Sequence, residues 1–160
     1  MASRLEGRRQ ATAARRRVVV TGMGAVSPVG NTAPSTWDSF VAGRSGVGPV
    51  TLFDASAYPA RIAAEVKDFD PAQFIDPKEA RRMSRCSQLA IVAAREAVAD
   101  AGLDWEDEDR ERVGVILGTG IGGIELLIEP IGRLATHGVP RVTPFQAMES
   151  LCNMPAFHVG

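Results

Sequence analysis

The chain has 160 residues, of which 45% are hydrophobic, 23% charged and 6% aromatic, and its net charge is −1. This hydrophobic content is sufficient for a packed core and excludes an intrinsically disordered protein. The most apolar stretch, residues 113–131, contains five glycines and two glutamates, so we expect no membrane-spanning helix and no membrane partner.

Positive charge is concentrated at the start of the chain, where residues 1–17 carry six arginines and one glutamate. The net charge of the remaining residues is therefore −6. A basic start is also typical of nucleic-acid-binding arms and transit peptides. This segment has no aromatic residue to stack on bases and is short for a transit peptide. Residues 1–16 are therefore predicted to form a disordered basic arm, with no nucleic acid partner.

The folded part of the chain is predicted to begin with a buried strand at residues 17–21, a β-branched run. Pro34 then opens a short helix that Gly43 closes. A second strand is possible at residues 61–66, and another buried strand is predicted at residues 113–117. Strands separated by helices predict an α/β layered fold with a largely parallel sheet flanked by helices.

The longest predicted helix runs from Asp76 to Gly102. Asp76 is a good N-cap, Pro77 occupies the first helical position, and Glu79 stands three residues after the cap. Gly102 is a typical C-terminal residue. An apolar stripe at spacings of three and four gives this helix a buried face: Met83, Cys86, Ala90, Ala94, Ala97, Val98 and Ala101.

The loop Gly118–Gly123 fits the pattern G-x-G-x-x-G between a predicted strand and a predicted helix, Ile124 to about Arg133. This context is typical of a dinucleotide-binding turn. The acidic residue that should bind the ribose is absent from residues 135–148. A tight strand-to-helix turn explains the glycines equally well, and residues 22–27 are a weaker near-match of the same pattern.

Four cations on the long predicted helix stand at i, i+3, i+4 and i+7 with no acid between them on that row. Such a row attracts an acidic partner and accelerates its association. Ordinary surface charge is the alternative interpretation. The row consists of Lys78, Arg81, Arg82 and Arg85.

The residues suited to catalysis are few. Cys86 lies on the apolar face of the long helix, and Cys152 lies in an apolar stretch, so both are predicted to be small buried hydrophobes. The two histidines, His137 and His158, complete no Cys-His or Ser-His-Asp set and no metal-ligand spacing. We therefore expect no catalytic residue and no metal site within this chain. Two distant cysteines without a secretory leader favour a reducing cytoplasm.

Five motifs stand in order along the chain: Val18–Asn31, Phe69-Asp70, Arg81–Ser84, Gly118–Gly123 and Val142–Phe145. In this order and spacing they resemble the beta-ketoacyl-acyl-carrier-protein synthases, most closely the synthase II type. These condensing enzymes of fatty acid synthesis have a thiolase-like fold. The resemblance covers about residues 17–160 and implies an N-terminal ketoacyl-synthase domain that ends before the nucleophile turn.

The resemblance implies roles for six residues and no cofactor. Ile121 and Phe145 match positions of the acyl-chain pocket, so the glycine loop is not expected to hold a dinucleotide. Gln146, Met148 and Glu149 depart from the commoner family pattern. The docking patch for the acidic acyl carrier protein matches four cations: Lys78, Arg81, Arg82 and Arg141.

The resemblance also implies the activity of a 3-oxoacyl-[acyl-carrier-protein] synthase, which joins an acyl thioester to malonyl-carrier protein with loss of CO₂. The nucleophilic cysteine and two histidines are expected beyond Gly160, so this chain alone is predicted to be inactive. The full-length enzyme is expected to be a cytoplasmic homodimer. A non-catalytic carrier-docking module and a polyketide ketosynthase fragment are the alternatives.

Overall fold

The computed structural model describes residues 17–138 and 143–160, so the predicted basic arm, residues 1–16, lies outside the described residues. None of the helices found in these two ranges is long and apolar enough to cross a membrane. The α-helices are α1 (Ala33–Val41), α2 (Pro77–Ala80), α3 (Arg85–Ala101), α4 (Glu125–His137), α5 (Pro144–Glu149) and α6 (Met154–Val159). The strands are β1 (Val47–Pro49) and β2 (Ile62–Ala64).

Side-chain caps determine where two of the helices begin. The Thr32 hydroxyl accepts a hydrogen bond from the Ser35 amide at the start of α1. Thr143 accepts from the Gln146 amide at the start of α5, and the Gln146 side chain accepts from the Thr143 amide in return. These contacts satisfy amides that have no partner within the helix. The predicted helix after Pro34 is confirmed, as is the predicted strand within residues 61–66.

The prediction of one long helix from Asp76 to Gly102 is wrong, because α2 ends at Ala80 and α3 begins at Arg85. Ser84 has an extended backbone, and its hydroxyl accepts a hydrogen bond from the Ser87 amide, which starts a new helix. The two predicted ends are confirmed. Asp76 caps α2, and Gly102 closes α3 in the left-handed conformation with φ of 63°.

The predicted strands at residues 17–21 and 113–117 pair with no other segment in the described part of the chain. The sheet found there is two-stranded and antiparallel, with Val47 opposite Ala64. A strand is held by a neighbour that satisfies its N–H and C=O groups, and the described segments provide none for these two runs. The side chains of both runs are consequently exposed. The predicted parallel sheet is therefore not formed by the described residues.

The core lies on one side of α3. Ile75, Ala80 and Ile91 are buried there, and Met83 and Val159 pack against them. α6 packs along α3 and brings Val159 to this cluster. Residues before and after the helix break therefore share one core, and the C-terminal helix α6 packs against it.

Two glycines of the opening turn lie directly on the backbone of α3. A Cβ atom at Gly24 would lie 1.9 Å from the carbonyl oxygen of Ala93. The amides of Met23 and Ala25 donate hydrogen bonds of 2.9 Å to the carboxylates of Asp100 and Glu96. The near-match of residues 22–27 to a dinucleotide-binding turn is thus explained by packing, since the Met23 and Ala25 amides donate to acidic side chains.

Candidate functional site

A cleft of about 630 Å³ opens beside the core, between α2, α3, α5 and α6. We call it the α3–α6 cleft. Most of its wall is apolar, and a few charged or polar side chains interrupt that wall. The apolar side chains include Met83, Ile91, Val98, Trp105, Phe145, Met148, Met154 and Phe157; the polar ones are Glu79, Arg82, Arg95, Glu149 and His158. An apolar wall with few polar groups is typical of a ligand-binding cleft.

The two residues matched to the acyl-chain pocket lie in different surroundings. Phe145 stands in the first turn of α5 and lines the α3–α6 cleft, with 55% of its surface exposed. Ile121 belongs to the glycine loop, is 66% exposed and does not line this cleft. The two side chains therefore do not share the α3–α6 cleft, and their pocket roles stay predictions.

The predicted docking cations lie around the break between α2 and α3 rather than on one helix. Lys78 belongs to α2, Arg81 follows it, and Arg82 lies in the turn before Ser84; all three cations are exposed. We call these three the cationic patch. The fourth predicted cation, Arg141, lies outside the described residues.

No carboxylate in the described ranges lies within 4.0 Å of a nitrogen of the cationic patch. The guanidinium carbon of Arg82 lies instead 5.1 Å from the centroid of the Phe145 ring. Arg85, the last cation of the predicted row, stacks similarly over Phe69 at 4.6 Å. Both distances are within the range of cation–π attraction. The patch thus presents cations that form no ion pair with a described carboxylate, and Arg82 brings one of them to the edge of the α3–α6 cleft.

The glycine loop packs against the segment between α5 and α6. Gly122 has a φ of 77°, which is unfavourable for residues with a side chain. A Cβ atom at Gly123 would lie 2.4 Å from the Cβ of Ser84 and 2.5 Å from the Glu149 carbonyl oxygen. The Thr119 hydroxyl donates to the carbonyl of Cys152 at 3.1 Å. These glycines are thus needed for close packing of protein on protein, and the geometry favours the tight-turn interpretation over dinucleotide binding.

The cysteines and His158 do not form a nucleophilic pair. Cys86 is half-buried with its Sγ 3.2 Å from the Ser84 hydroxyl, whereas Cys152 is exposed, contrary to prediction. An apolar stretch next to a loop need not be buried, and Cys152 lies in the turn before α6. The imidazole of His158 binds a carboxylate rather than a thiol. The part of the chain that the structure describes contains no cluster of three or more metal-ligating side chains.

Sequence reasoning missed a buried carboxylate on the cleft wall. Glu149 is 7% exposed, and its Oε1 lies 2.8 Å from Nε2 of His158. Its Oε2 is buried without a hydrogen-bond partner. The available signal was an acidic residue in an otherwise uncharged segment, followed by a histidine nine positions later.

Comparison with known proteins agrees with the resemblance that the motifs indicate. The sequence signature of the family described as "Beta-ketoacyl synthase, N-terminal domain" matches residues 15–159. A 3-oxoacyl-[acyl-carrier-protein] synthase 2 from Synechocystis sp. is 44% identical over 140 residues, which are 88% of this chain and 34% of the relative. Its counterpart from Staphylococcus aureus (strain N315) is 48% identical over 130 residues, or 81% of this chain and 31% of the relative.

The fold is likewise similar to solved ketosynthase structures. The ishigamide ketosynthase/chain length factor superposes with a TM-score of 0.82 at 33% identity, covering 91% of this chain and 36% of that one. The chain spans about a third of the length of the curated relatives it matches. The fold class predicted from the sequence, a thiolase-like α/β fold, is confirmed by this similarity. The signature match shows that the chain belongs to the beta-ketoacyl synthase family, whose N-terminal domain it matches.

Proposed function

We propose that the protein carrying this chain is a 3-oxoacyl-[acyl-carrier-protein] synthase, and that this chain supplies its carrier-docking surface. The observation that carries the docking proposal is the exposed cationic patch, which forms no ion pair with a described carboxylate and whose Arg82 lines an apolar cleft. The relatives named 3-oxoacyl-[acyl-carrier-protein] synthase 2 support the reaction class. Acyl carrier protein, in acyl and malonyl forms, is the proposed partner.

In the proposed reaction, a cysteine thiolate attacks the acyl-carrier thioester, forms an acyl-cysteine thioester and releases the carrier thiol. Malonyl-carrier protein then loses CO₂, and the resulting carbanion attacks the acyl-cysteine carbonyl. The cysteine thiolate leaves, and 3-oxoacyl-carrier protein is the product. Neither cysteine of this chain forms a pair with a described histidine, so we place this chemistry in residues that belong to another part of the protein.

Activity assays test the reaction and the assignment of its residues. Full-length protein supplied with acyl- and malonyl-carrier proteins should yield 3-oxoacyl-carrier protein, detected by mass spectrometry, together with CO₂. Purified residues 1–160 should yield none. Product from residues 1–160 alone would overturn the proposed absence of catalytic residues, and docking without product from the full-length protein would favour the non-catalytic docking module.

A polyketide ketosynthase is the second candidate, because the fold is similar to a structure described as a ketosynthase/chain length factor. The two functions differ in what happens after one condensation. A fatty acid synthase of this class should stop at a single 3-oxoacyl product until that product is reduced. Accumulation of chains with several unreduced keto groups, in the absence of a reductase, would favour the polyketide function.

Charge reversal tests docking directly. Replacing Lys78, Arg81 and Arg82 by glutamate should weaken carrier binding, most strongly at low ionic strength, because salt screens exposed charges. A matched control reverses three exposed cations on other elements and so changes the net charge equally: Arg44, Lys67 and Arg112. Equal loss of affinity in both variants would show that only the net charge acts. Arg141 can be tested in the same series.

We further propose that the full-length enzyme is a cytoplasmic homodimer. The support for this proposal is the resemblance to the beta-ketoacyl synthases, which implies a homodimer. Light scattering of the full-length protein should give twice the mass of one chain. A monomer at micromolar concentration would contradict the proposed assembly.

A further inference from the structure

Arg82 differs from the other two cations of the patch in its contact with an aromatic ring. Its guanidinium carbon lies 5.1 Å from the centroid of Phe145, and both residues line the α3–α6 cleft. Neither Lys78 nor Arg81 has such a contact in the described part of the structure. Arg82 therefore belongs both to the cationic patch and to the wall of the cleft.

The backbones on both sides of this contact are fixed. The amide of Arg82 donates to the carbonyl of Glu79 at 2.9 Å in the turn after α2. Phe145 lies in the first helical turn of α5, which the reciprocal contact between Thr143 and Gln146 holds in place. The ring is 55% exposed, and the arginine side chain is also exposed. The contact can therefore be made and broken by side-chain rotation alone.

We propose that the Phe145 ring and a carboxylate of the docking carrier protein compete for Arg82, so that docking moves the guanidinium off the ring at the edge of the cleft. This proposal rests on the proposed docking function. An arginine–carboxylate contact consists of charge-assisted, often bidentate hydrogen bonds, whereas the face of an exposed phenylalanine attracts a cation weakly. The exchange therefore favours the carrier.

The competition links the patch to the cleft in both directions. If docking takes Arg82 from the ring, then any change that displaces the ring leaves Arg82 available to the carrier. Such coupling is reciprocal: carrier docking and displacement of the ring each change the free energy of the other by the same amount. Displacing Phe145, by mutation or by a ligand in the cleft, should therefore tighten docking.

Binding of the carrier protein to full-length Phe145→Leu protein tests the competition. Leucine keeps an apolar side chain but removes the aromatic face, so carrier affinity should rise about two- to fivefold, the range of an exposed cation–π contact. Phe145→Tyr keeps the face and should leave the affinity unchanged. Phe157→Leu removes another exposed ring of the same cleft, which contacts His158 edge-to-face rather than Arg82, and should also leave the carrier affinity unchanged.

The same substitution in an Arg82→Gln background separates competition from general effects on the cleft. There, Phe145→Leu should give no gain in affinity, because the shared cation is absent. An unchanged or weakened affinity of the Phe145→Leu protein, with docking still dependent on the patch, would overturn the competition and leave the docking function intact. Insensitivity of docking to reversal of the whole patch would overturn both.

Nuclear magnetic resonance of the unmutated protein gives a readout that does not depend on folding of a variant. The side-chain Nε–H resonance of Arg82 should show an upfield ring-current shift in the free protein. Addition of carrier protein should remove that shift. A shift that persists in the saturated complex would contradict the exchange.

Discussion

Single glycines decide how closely the opening turn approaches α3. A Cβ atom at Gly24 would lie 1.9 Å from the carbonyl oxygen of Ala93, and one at Gly22 would lie 2.2 Å from that of Ala97. Both obstacles are backbone atoms of a helix, which cannot rotate away as a side chain can. The turn must therefore move as a whole if either position gains a side chain.

Gly24→Ala should lower the free energy of unfolding by about 1–3 kcal/mol, the usual cost of overpacking. Gly48→Ala is the matched control, because a Cβ atom there meets nothing within 4 Å. Urea unfolding of the two variants gives the comparison. Equal stability would show that the close approach to α3 is not rigid.

Hydrogen bonds from Thr51 make Glu65 a stronger acid. The Thr51 hydroxyl donates to Oε2 at 2.6 Å, and the amides of Thr51 and Leu52 donate to the same carboxylate. These bonds, led by that of the hydroxyl, lower the pKa of Glu65 below its ordinary value. The ionised form therefore stabilises the fold at pH values above the ordinary carboxyl pKa, and this contribution is lost as the pH falls through the lowered pKa.

Thr51→Val should raise the pKa of Glu65 toward its ordinary value, because the largest cause of the shift is removed. Carbon-13 titration of the carboxyl groups by nuclear magnetic resonance measures the change. Asp54 is an internal control: hydrogen bonds from Ser56 lower its pKa, and the substitution does not touch them. An unaltered pKa of Glu65 would show that the amides alone are sufficient.

At the scale of elements, local signals predicted helix ends better than helix continuity. The caps at Asp76 and Gly102 involve contacts within a few residues and could be predicted from the sequence. The break at Ser84 could not, because the residues before it are compatible with a helix. Its cause includes distant contacts: Ser84 is fully buried, and Gly123 packs against it.

The break should therefore depend on the Ser84 hydroxyl. Ser84→Ala removes the cap of α3 and leaves the buried hydroxyl of Ser87 without the partner that lies 2.9 Å away. The expected loss is about 1–2 kcal/mol of unfolding free energy. Ser45→Ala removes a hydroxyl that accepts from the Val47 amide at an exposed position, without a buried partner, and should cost only about 0.5 kcal/mol. Comparable losses in both variants would contradict a capping role.

The candidate site was only partly predictable, because some of its contacts are local in sequence and others join distant segments. Lys78, Arg81 and Arg82 are close in sequence, so they remain near one another although the helix on which they were predicted is broken. The contact between Arg82 and Phe145 joins segments far apart in the chain, and no local spacing encodes it. The partner of His158, Glu149, was missed because burial of a carboxylate follows from tertiary packing.

At the scale of the whole molecule, the largest difference between prediction and structure is the exposure of two apolar runs that were predicted to be buried strands. Residues 17–21 and 113–117 have the composition of buried strands, yet Val18 is 94% and Ile116 is 98% exposed. Composition predicts that a run can be buried in a sheet, whereas pairing requires neighbouring strands. The described residues supply no such neighbours, and the chain spans about a third of its relatives. We infer that other parts of the full-length protein pair with these runs.

Amide hydrogen exchange tests that inference. In residues 1–160 alone, the amides of residues 18–20 and 115–117 should exchange nearly as fast as in an unfolded chain, because no hydrogen bond protects them. In the full-length protein the same amides should be protected by about a hundredfold or more. The amides of Ile91 and Val92, buried within α3, are the control and should be protected in both proteins. Fast exchange of both runs in the full-length protein would show that their exposure is a property of the native fold, and the apolar surface would then need another occupant.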